Sequence, residues 1–568
     1  MKKWLKLIFI SLTWFVIFVV GGIYIKKWWI TNYGRGTFHI ETIEDISDIL
    51  GLAATGSFLV FVLSLPHKNL SMTSWMEKSR YEPDMDSTRK RKAQHPPVPD
   101  QYLSKSIDGL VLGRQGDKFV RYSVDPGRGA GALILGQPGS GKSVLLLSSI
   151  IQWIHGGAKD KPTLFLVDVK PELYSKSTYA WDESFGELSI FDRTKWGWNL
   201  YYNMDDSASD DDILSEIKII SDVLIDAGAN EKNAFFYQSA ANIFQAVCLY
   251  DFRRGKSFIQ TIHHLMDASL ESTVKEILEK VEGKPDMIKV KQMLSPYADK
   301  EGEAFDSISM TMFTPLSTLV RSDVSFFLDG NHRKLSPATL TKDKISIAFT
   351  LPSTMLSEYA IVLKIVSAQI LHHLEGRPEK KENHMIILVL DELARIAGAE
   401  GASESGTALA RMIADFLAVS RSKNCFLICA LQGKSQLDST FGKSGAETLL
   451  ELVSVVAILS CASVSTAKMI CDWAGEYAEL KVSENQGGKT DGNRSRSFDL
   501  KKVLQPNDLM SLRQDGEIVL FLDGRYARVK VETARYYKIK KLNEISAKCV
   551  ESHLAINQNH DAKEDKKS

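Results

Sequence analysis

An α/β fold built around a nucleotide site, interrupted by an all-α insertion and preceded by two transmembrane helices, is what the sequence predicts. Three observations predict it. Residues 136–143 read Gly-Gln-Pro-Gly-Ser-Gly-Lys-Ser between a short apolar strand and an apolar helix. About 250 positions later an apolar run of strand length ends in two adjacent carboxylates, Asp391 and Glu392. The first 66 residues hold two uncharged stretches of the length a bilayer requires.

Composition bounds the possibilities. The chain has 568 residues, 44% hydrophobic and 25% charged, with 37 Gly and 16 Pro, which excludes collagenous, coiled-coil and wholly disordered classes. Its 70 Lys and Arg balance 70 Asp and Glu. No global basic field is available to hold a nucleic acid, so any polyanion must be met by a local patch or a pore. The six cysteines (Cys248, Cys425, Cys429, Cys461, Cys471, Cys549) follow neither a zinc pattern nor a disulfide framework. The bulk of the chain therefore reads as cytosolic and reduced.

The first apolar stretch, Leu7 to Ile25, lies between Lys2, Lys3, Lys6 and the interfacial set Lys26, Lys27, Trp28, Trp29. It is longer than a signal-peptide core and lacks a small-x-small cleavage site, so it reads as a retained span. The second, Ile49 to Leu65, stops at Pro66 and precedes Lys68, Lys78, Arg80 and the Arg89-Lys90-Arg91-Lys92 cluster. The positive-inside rule places both the N-terminus and everything after about residue 66 in the cytoplasm.

The segment Gly136, Gln137, Pro138, Gly139, Ser140, Gly141, Lys142, Ser143 fits G-x-x-x-x-G-K-[ST]. Its glycines let backbone N–H groups turn inward around phosphate oxygens. Lys142 is expected to reach the β- and γ-phosphates, and the Ser143 hydroxyl to occupy one Mg²⁺ position at a helix N-terminus. No guanine-selecting N-K-x-D is found, which argues against a GTPase. In the same frame Asp391 holds the Mg²⁺ water shell and Glu392 polarises the attacking water. An acidic strand ending in such a pair predicts an extra strand between it and the P-loop strand. A polar sensor then follows that extra strand, and Gln432, directly after Cys425–Leu431, is the candidate. Arg421, at the end of an amphipathic helix over about 407–421, is the candidate arginine finger, with Arg411 as the alternative. Asp168, Lys170 and Glu172 end the strand after the P-loop helix and share the edge that carries ligands.

Between about 205 and 330 apolar residues recur every three to four positions without strand alternation, which predicts an inserted helical subdomain. The pairs His263-His264 and His372-His373 lack ligand-spaced partners and are not read as a metal site. A Gly-rich polar stretch, 484–497, reads as a loop, and EIVLFLDGRYARVKVE as a hairpin around Asp523-Gly524. The organisation expected is a membrane anchor (1–66), a basic, Pro-rich linker (67–100), a nucleotide-binding domain in two parts (101–204 and 331–542), the all-α insertion (205–330), and a charged, disordered tail (543–568).

Two N-terminal spans, GQPGSGKS, LVDVKPEL, TKWGWNLY, a helical insert, LVLDELARI, SRSKN, LQGKSQLDSTFG and DLKKVLQPNDLMSLRQDGEIVLFLDG, in that order, resemble the type IV secretion coupling proteins. These are the TraD/TraG-like ATPases of bacterial conjugation. The resemblance spans about residues 1 to 540. It implies a RecA-like P-loop ATPase domain assembling as a homo-hexamer, multi-pass in the lipid of the bacterial inner membrane. It further implies ATP- and Mg²⁺-dependent transfer of single-stranded DNA, with its relaxase, to type IV secretion channel proteins. The family's phosphate-binding lysine falls on Lys142, its Mg²⁺ hydroxyl on Ser143 and its acidic pair on Asp391 and Glu392. Its sensor glutamine falls on Gln432 and its arginine finger on Arg421. The chain departs from the family where it reads Asp168-Val-Lys-Pro-Glu172 instead of D-x-K-G-E, and in a Gly/Ser/Ala-rich segment between Glu392 and Arg421. A receptor that uses ATP only as a switch, and a coupling ATPase for protein effectors, are the alternatives.

Overall fold

The computed structural model describes residues 97–564, apart from 125–129, 158–160, 227–232, 299–301, 380–381, 398–406 and 485–493. Both expected membrane spans and nearly all of the linker lie outside the described residues. Among the described residues no helix is long and apolar enough to cross a membrane.

Strands β1 (Leu103–Ser104), β2 (Leu110–Gln115) and β3 (Lys118–Tyr122) precede the P-loop strand β4 (Gly131–Leu135) and helix α1 (Lys142–His155). Next come β5 (Thr163–Asp168), α2 (Glu172–Ser177), β6 (Phe185–Leu188) and β7 (Gly197–Trp198). Seven helices follow among the described residues, α3 (Asp210–Leu224), α4 (Ala234–Phe252), α5 (Phe258–Met266), α6 (Leu270–Val281), α7 (Ile288–Leu294), α8 (Glu303–Leu316) and α9 (Ser322–Asp329). The chain returns through β8 (Lys334–Leu335), β9 (Ser346–Thr350), α10 (Leu356–Glu375), β10 (Ile386–Leu390), α11 (Leu393–Ala397), α12 (Ala408–Ser420) and β11 (Cys425–Leu431). It ends with α13 (Lys434–Leu452), β12 (Val455–Ile458), α14 (Val464–Ala474), β13 (Glu476–Glu484), β14 (Arg494–Lys502), α15 (Pro506–Asp515), β15 (Glu517–Leu522), β16 (Arg525–Lys530) and α16 (Lys540–Glu564).

One twelve-stranded sheet runs β1-β3-β2-β16-β15-β12-β4-β11-β10-β5-β9-β6. From β12 to β6 every pairing is parallel; from β12 outward through β15 every pairing is antiparallel. The central parallel strands β4, β10, β11 and β12 are apolar throughout because both faces are covered. Ala132 and Ile134 of β4 point into one core with Leu146 and Ile150 of α1, whereas Leu133 and Leu135 point into the other with helices of the insertion. This is the period-two alternation of a strand with two buried faces. All parallel strands end at one edge: Gly136, Asp391 and Gln432 directly follow β4, β10 and β11, Asp168 is the last residue of β5, and Ser460 stands two positions past β12. β11 lies between β4 and β10, the extra strand that the carboxylate pair implies.

The insertion leaves and rejoins the sheet at a two-stranded closure. β7 and β8 pair in parallel, so the chain ends on either side of the seven helices meet. Ser209, Ser257 and Ser269 cap α3, α5 and α6 by accepting from backbone N–H groups in their first turns. Three aspartates in the first turn of α3 add favourable charge at its positive end.

Two expectations are corrected. The tail from about 543 is not disordered up to its last residues: α16 is helical to Glu564. Leu542, Ser546, Cys549 and Ser552 are buried at three- and four-residue spacing, a helical face that the polar composition of the final residues hides. Ser552 Oγ accepts from Ala180 N (3.0 Å) and a ring nitrogen of His553 meets Thr178 O (2.9 Å), so α16 is fastened to the end of α2. The stretch 484–497 is not all loop either, since β13 and β14 pair antiparallel from Glu476↔Lys502 to Glu484↔Arg494. The Asp523-Gly524 hairpin forms as expected between β15 and β16.

Candidate nucleotide site

Where β4 ends, Gly136 N donates to Leu431 O of β11 (3.0 Å), and Gln137 N donates to Ser460 Oγ beyond β12 (3.0 Å). The loop is thus pinned on both sides before it turns. Gly139 (φ 75°) and Gly141 (φ 96°) carry it through the left-handed region, where a side chain costs about 1–2 kcal/mol per residue. A Cβ on Gly136 would stand 2.4 Å from Ser140 Oγ, so the first glycine is required by close approach. Lys142 and Ser143 open α1 immediately after Gly141, at the positive end of a fourteen-residue helix.

The structure brings residues from opposite ends of the sequence together here. Ser143 Oγ donates to Asp391 Oδ2 (3.3 Å) although the two are 248 positions apart. Lys142 Nζ donates to Gly136 O (2.6 Å) and more weakly to Gln137 O (3.4 Å), folding back over its own loop. Glu392 follows Asp391 with φ 59°, a backbone conformation that L-residues adopt only under constraint. It pairs with Lys170 across the sheet edge, Nζ to Oε1 at 3.1 Å.

Burial dominates the electrostatics. It lowers the pKa of Lys142 against the opposing pull of Glu392 and Asp391. It raises that of Asp391, with the like charge of Glu392 adding to it. It is also the largest single effect on Lys170, opposing its charge, but the bond to Glu392 and the combined attraction of Glu392, Asp391 and Glu172 outweigh it and that lysine's pKa rises. Two buried polar atoms, Ser140 Oγ and Asp391 Oδ1, have no hydrogen-bond partner. A buried carboxylate oxygen and a hydroxyl left unsatisfied, beside a lysine that can only donate to its own loop, fit a bound phosphate and a divalent cation. Ser143 and Asp391 stand where they would hold the cation, and Lys142 and the loop N–H groups where they would hold the phosphates.

Gln432 stands at the end of β11 next to the P-loop strand, half-buried, with its backbone N–H bonded to Gln436 Oε1 (2.8 Å). The geometry therefore gathers Gly136 to Ser143, Asp391, Glu392 and Gln432 at one edge. It does not bring Arg421 there. Arg421 follows α12 and precedes β11, and that seven-residue strand separates it from the site by about 23 Å of extended chain. Arg411, the alternative, is bonded to Asp226 just after α3 of the insertion (3.3 Å). Asp168 is wholly buried and accepts from Lys170 N, Glu172 N and Tyr174 N, so it shapes the loop from which Lys170 reaches Glu392.

Two contributors escaped the sequence reading. Ser460 could have been found by extending the strand-edge logic to β12. Arg513 of α15 could not: both its terminal nitrogens lie 3.8 Å from where a Cβ on Gly139 would stand, a juxtaposition that only packing creates. Away from this edge, a cleft of about 470 Å³ lined by Tyr202, Lys342, His372, His373, Arg377 and His384 opens before β10. Burial first, then Lys342, His372 and Arg377, push His373 down to about 4. No cluster of three or more metal-ligating side chains occurs among the described residues.

Comparison with known proteins agrees with this geometry. The family model for type IV secretory system conjugative DNA transfer matches residues 102–559. No curated protein sequence matches the chain. Among solved structures, the bacterial conjugative coupling protein TrwB in an unbound monoclinic form is similar with a TM-score of 0.57 at 16% identity, over 78% of this chain and 91% of that one. TrwB in complex with ADP and Mg²⁺ has a TM-score of 0.54 at 17% identity, over 76% and 89%. TrwB with a non-hydrolysable ATP analogue has a TM-score of 0.55 at 16% identity, over 77% and 96%. At these identities the likeness is one of fold. The family match over most of the chain, on a fold that assembles the phosphate loop, the acidic pair and Gln432 at one edge, places this protein in the conjugative DNA-transfer family of type IV secretory systems, as a type IV coupling protein.

Proposed function

We propose that this chain is a membrane-anchored coupling ATPase that recruits a relaxase–DNA complex and drives single-stranded DNA into a type IV secretion channel. The observation that carries the reading is the Ser143–Asp391 bond, with Lys142 on one side and Glu392 on the other. It is a ready arrangement for Mg²⁺ and a nucleoside triphosphate. ATP with Mg²⁺ supplies a cleavable γ-phosphate there. Lys142 and the loop N–H groups neutralise and orient its oxygens, and Ser143 and Asp391 hold the cation. Glu392 accepts the proton of the attacking water, and Gln432 registers the γ-phosphate from the tip of β11. The ADP, Mg²⁺ and ATP-analogue complexes of TrwB support the choice of ligand.

The reading includes a homo-hexameric ring in the bacterial inner membrane, anchored by the spans at about 7–25 and 49–65. In such a ring Arg421, remote from its own site, completes that of a neighbour. The test is ATP turnover by the full chain in a lipid nanodisc, with and without single-stranded DNA, together with plasmid transfer. Wild type should hydrolyse ATP and be stimulated by the DNA, and Lys142→Ala should abolish hydrolysis and transfer. Transfer surviving in Lys142→Ala, or in a Glu392→Gln variant that binds ATP without cleaving it, would overturn the motor role.

A further inference from the structure

The loop after β5 lies against the hydrolytic carboxylate, and its chemistry is not used by the phosphate loop or by the cation site. Asp168 is buried and gathers three backbone N–H groups: Lys170 (3.3 Å), Glu172 (3.2 Å) and Tyr174 (2.8 Å). That triple acceptance sets the path of the loop and the start of α2. Pro171 restricts Lys170 further, because the residue before a proline is confined largely to extended conformations. α2 is in turn gripped by α16 through Thr178, Ala180, Ser552 and His553. Lys170 is thus projected from a constrained base toward Glu392.

The lysine touches one carboxylate oxygen only. Nζ lies 3.1 Å from Glu392 Oε1, and Oε2 has no hydrogen-bond partner among the described residues. Glu392 itself is 8% exposed, whereas Lys170 is 43% exposed and reaches in from the rim. A glutamate at φ 59° cannot rely on ordinary backbone preference to aim its side chain. Its neighbour Asp391 is a second carboxylate, and like charges this close repel. An ammonium on Oε1 offsets that repulsion and selects one carboxylate orientation.

We propose that Lys170 is the positioning residue of the hydrolytic site: it clamps Glu392 Oε1 so that Oε2 is presented to the attacking water. The inference rests on the ATPase reading above and adds a residue to it. Lys170 acts through Glu392, so its loss should slow turnover and leave nucleotide binding intact.

The experiment measures ATP turnover and binding of a fluorescent ATP analogue by the full chain in nanodiscs. The proteins are wild type, Lys170→Ala, Lys170→Met (which keeps most of the apolar stem), Lys170→Arg and the double variant with Glu392→Gln. Lys170→Ala and Lys170→Met should lower kcat about 10- to 100-fold, as loss of an orienting partner does. Nucleotide Kd should stay within about twofold, which also reports that the site is folded. Lys170→Arg should recover a large part of kcat, because a guanidinium can still pair with Oε1. In the Glu392→Gln background, Lys170→Ala should cost nothing more, since the two act as one unit. An unchanged or raised kcat in both Lys170 variants overturns the proposal, as does a loss of affinity that tracks the loss of rate, or a penalty that adds to that of Glu392→Gln. Wild type and Lys142→Ala run alongside: a wild type without turnover rejects the ATPase reading itself, whereas an active wild type with indifferent Lys170 variants rejects only the clamp.

Discussion

Replacing Asp168 by Asn probes the electrostatics of the loop that carries Lys170. Asp168 is wholly buried, and its three backbone N–H bonds favour the carboxylate form. Burial outweighs them, with the charge of Asp391 acting in the same direction, and the pKa is pushed from 3.8 up to about 6. A carboxyl whose value in the fold lies above its unfolded value stabilises the fold when protonated, and that stability is lost as the pH rises through the folded value. From these two values the group gains the fold about 1 kcal/mol on going from pH 7 to pH 5, and about 3 kcal/mol in the acid limit. The Asp168→Asn variant takes up no proton. Its amide also sets a donor against Tyr174 N, a pH-independent cost of about 1–3 kcal/mol. Unfolding of wild type and variant by urea between pH 7 and pH 5 separates the two effects. The offset belongs to the lost acceptor, and the wild type's margin should widen by about 1 kcal/mol on acidification. A margin that stays flat or narrows means that the N–H bonds, rather than burial, govern Asp168, and refutes the reasoning.

Arg513→Ala should raise the KM for ATP several-fold while changing kcat little, because its guanidinium stands beside Gly139 at the phosphate loop and not beside the acidic pair. Steady-state kinetics decide it, and an unchanged KM counts against any phosphate contact. Arg421→Ala should leave nucleotide binding intact and reduce turnover by about 10³-fold or more, the usual weight of an arginine finger. Mixing Arg421→Ala chains with Lys142→Ala chains should restore part of that turnover, since an intact lysine in one subunit then meets an intact arginine in the next. Silence in the mixture, with oligomers present, would remove Arg421 from the site.

Much of the site was legible because its chemistry is written locally. A phosphate loop needs Gly136, Gly139 and Gly141 at fixed offsets from Lys142, and an acidic pair must end an apolar strand. Parallel strands with both faces buried announce themselves as uninterrupted runs such as Gly131–Leu135 and Ile386–Leu390. The same local logic failed at α16, where the buried face of Leu542, Ser546, Cys549 and Ser552 is polar enough to pass for solvated chain. It also failed in the 484–497 stretch, whose strand ends are too rich in charge and glycine to show alternation.

The amino-acid order by itself determined that this chain carries a phosphate-binding loop, an acidic pair and a helical insertion, because each depends on residues within a few positions of one another. Which strand lies beside which was decided only in three dimensions. β11 slots between β4 and β10, and this sets Gln432 at the phosphate loop and Arg421 at the far end of the sheet. The Lys170–Glu392 pair, the Ser460 anchor and the approach of Arg513 to Gly139 join segments from 222 to 374 positions apart. No local propensity encodes such meetings; they follow from the burial of two hydrophobic faces on one sheet.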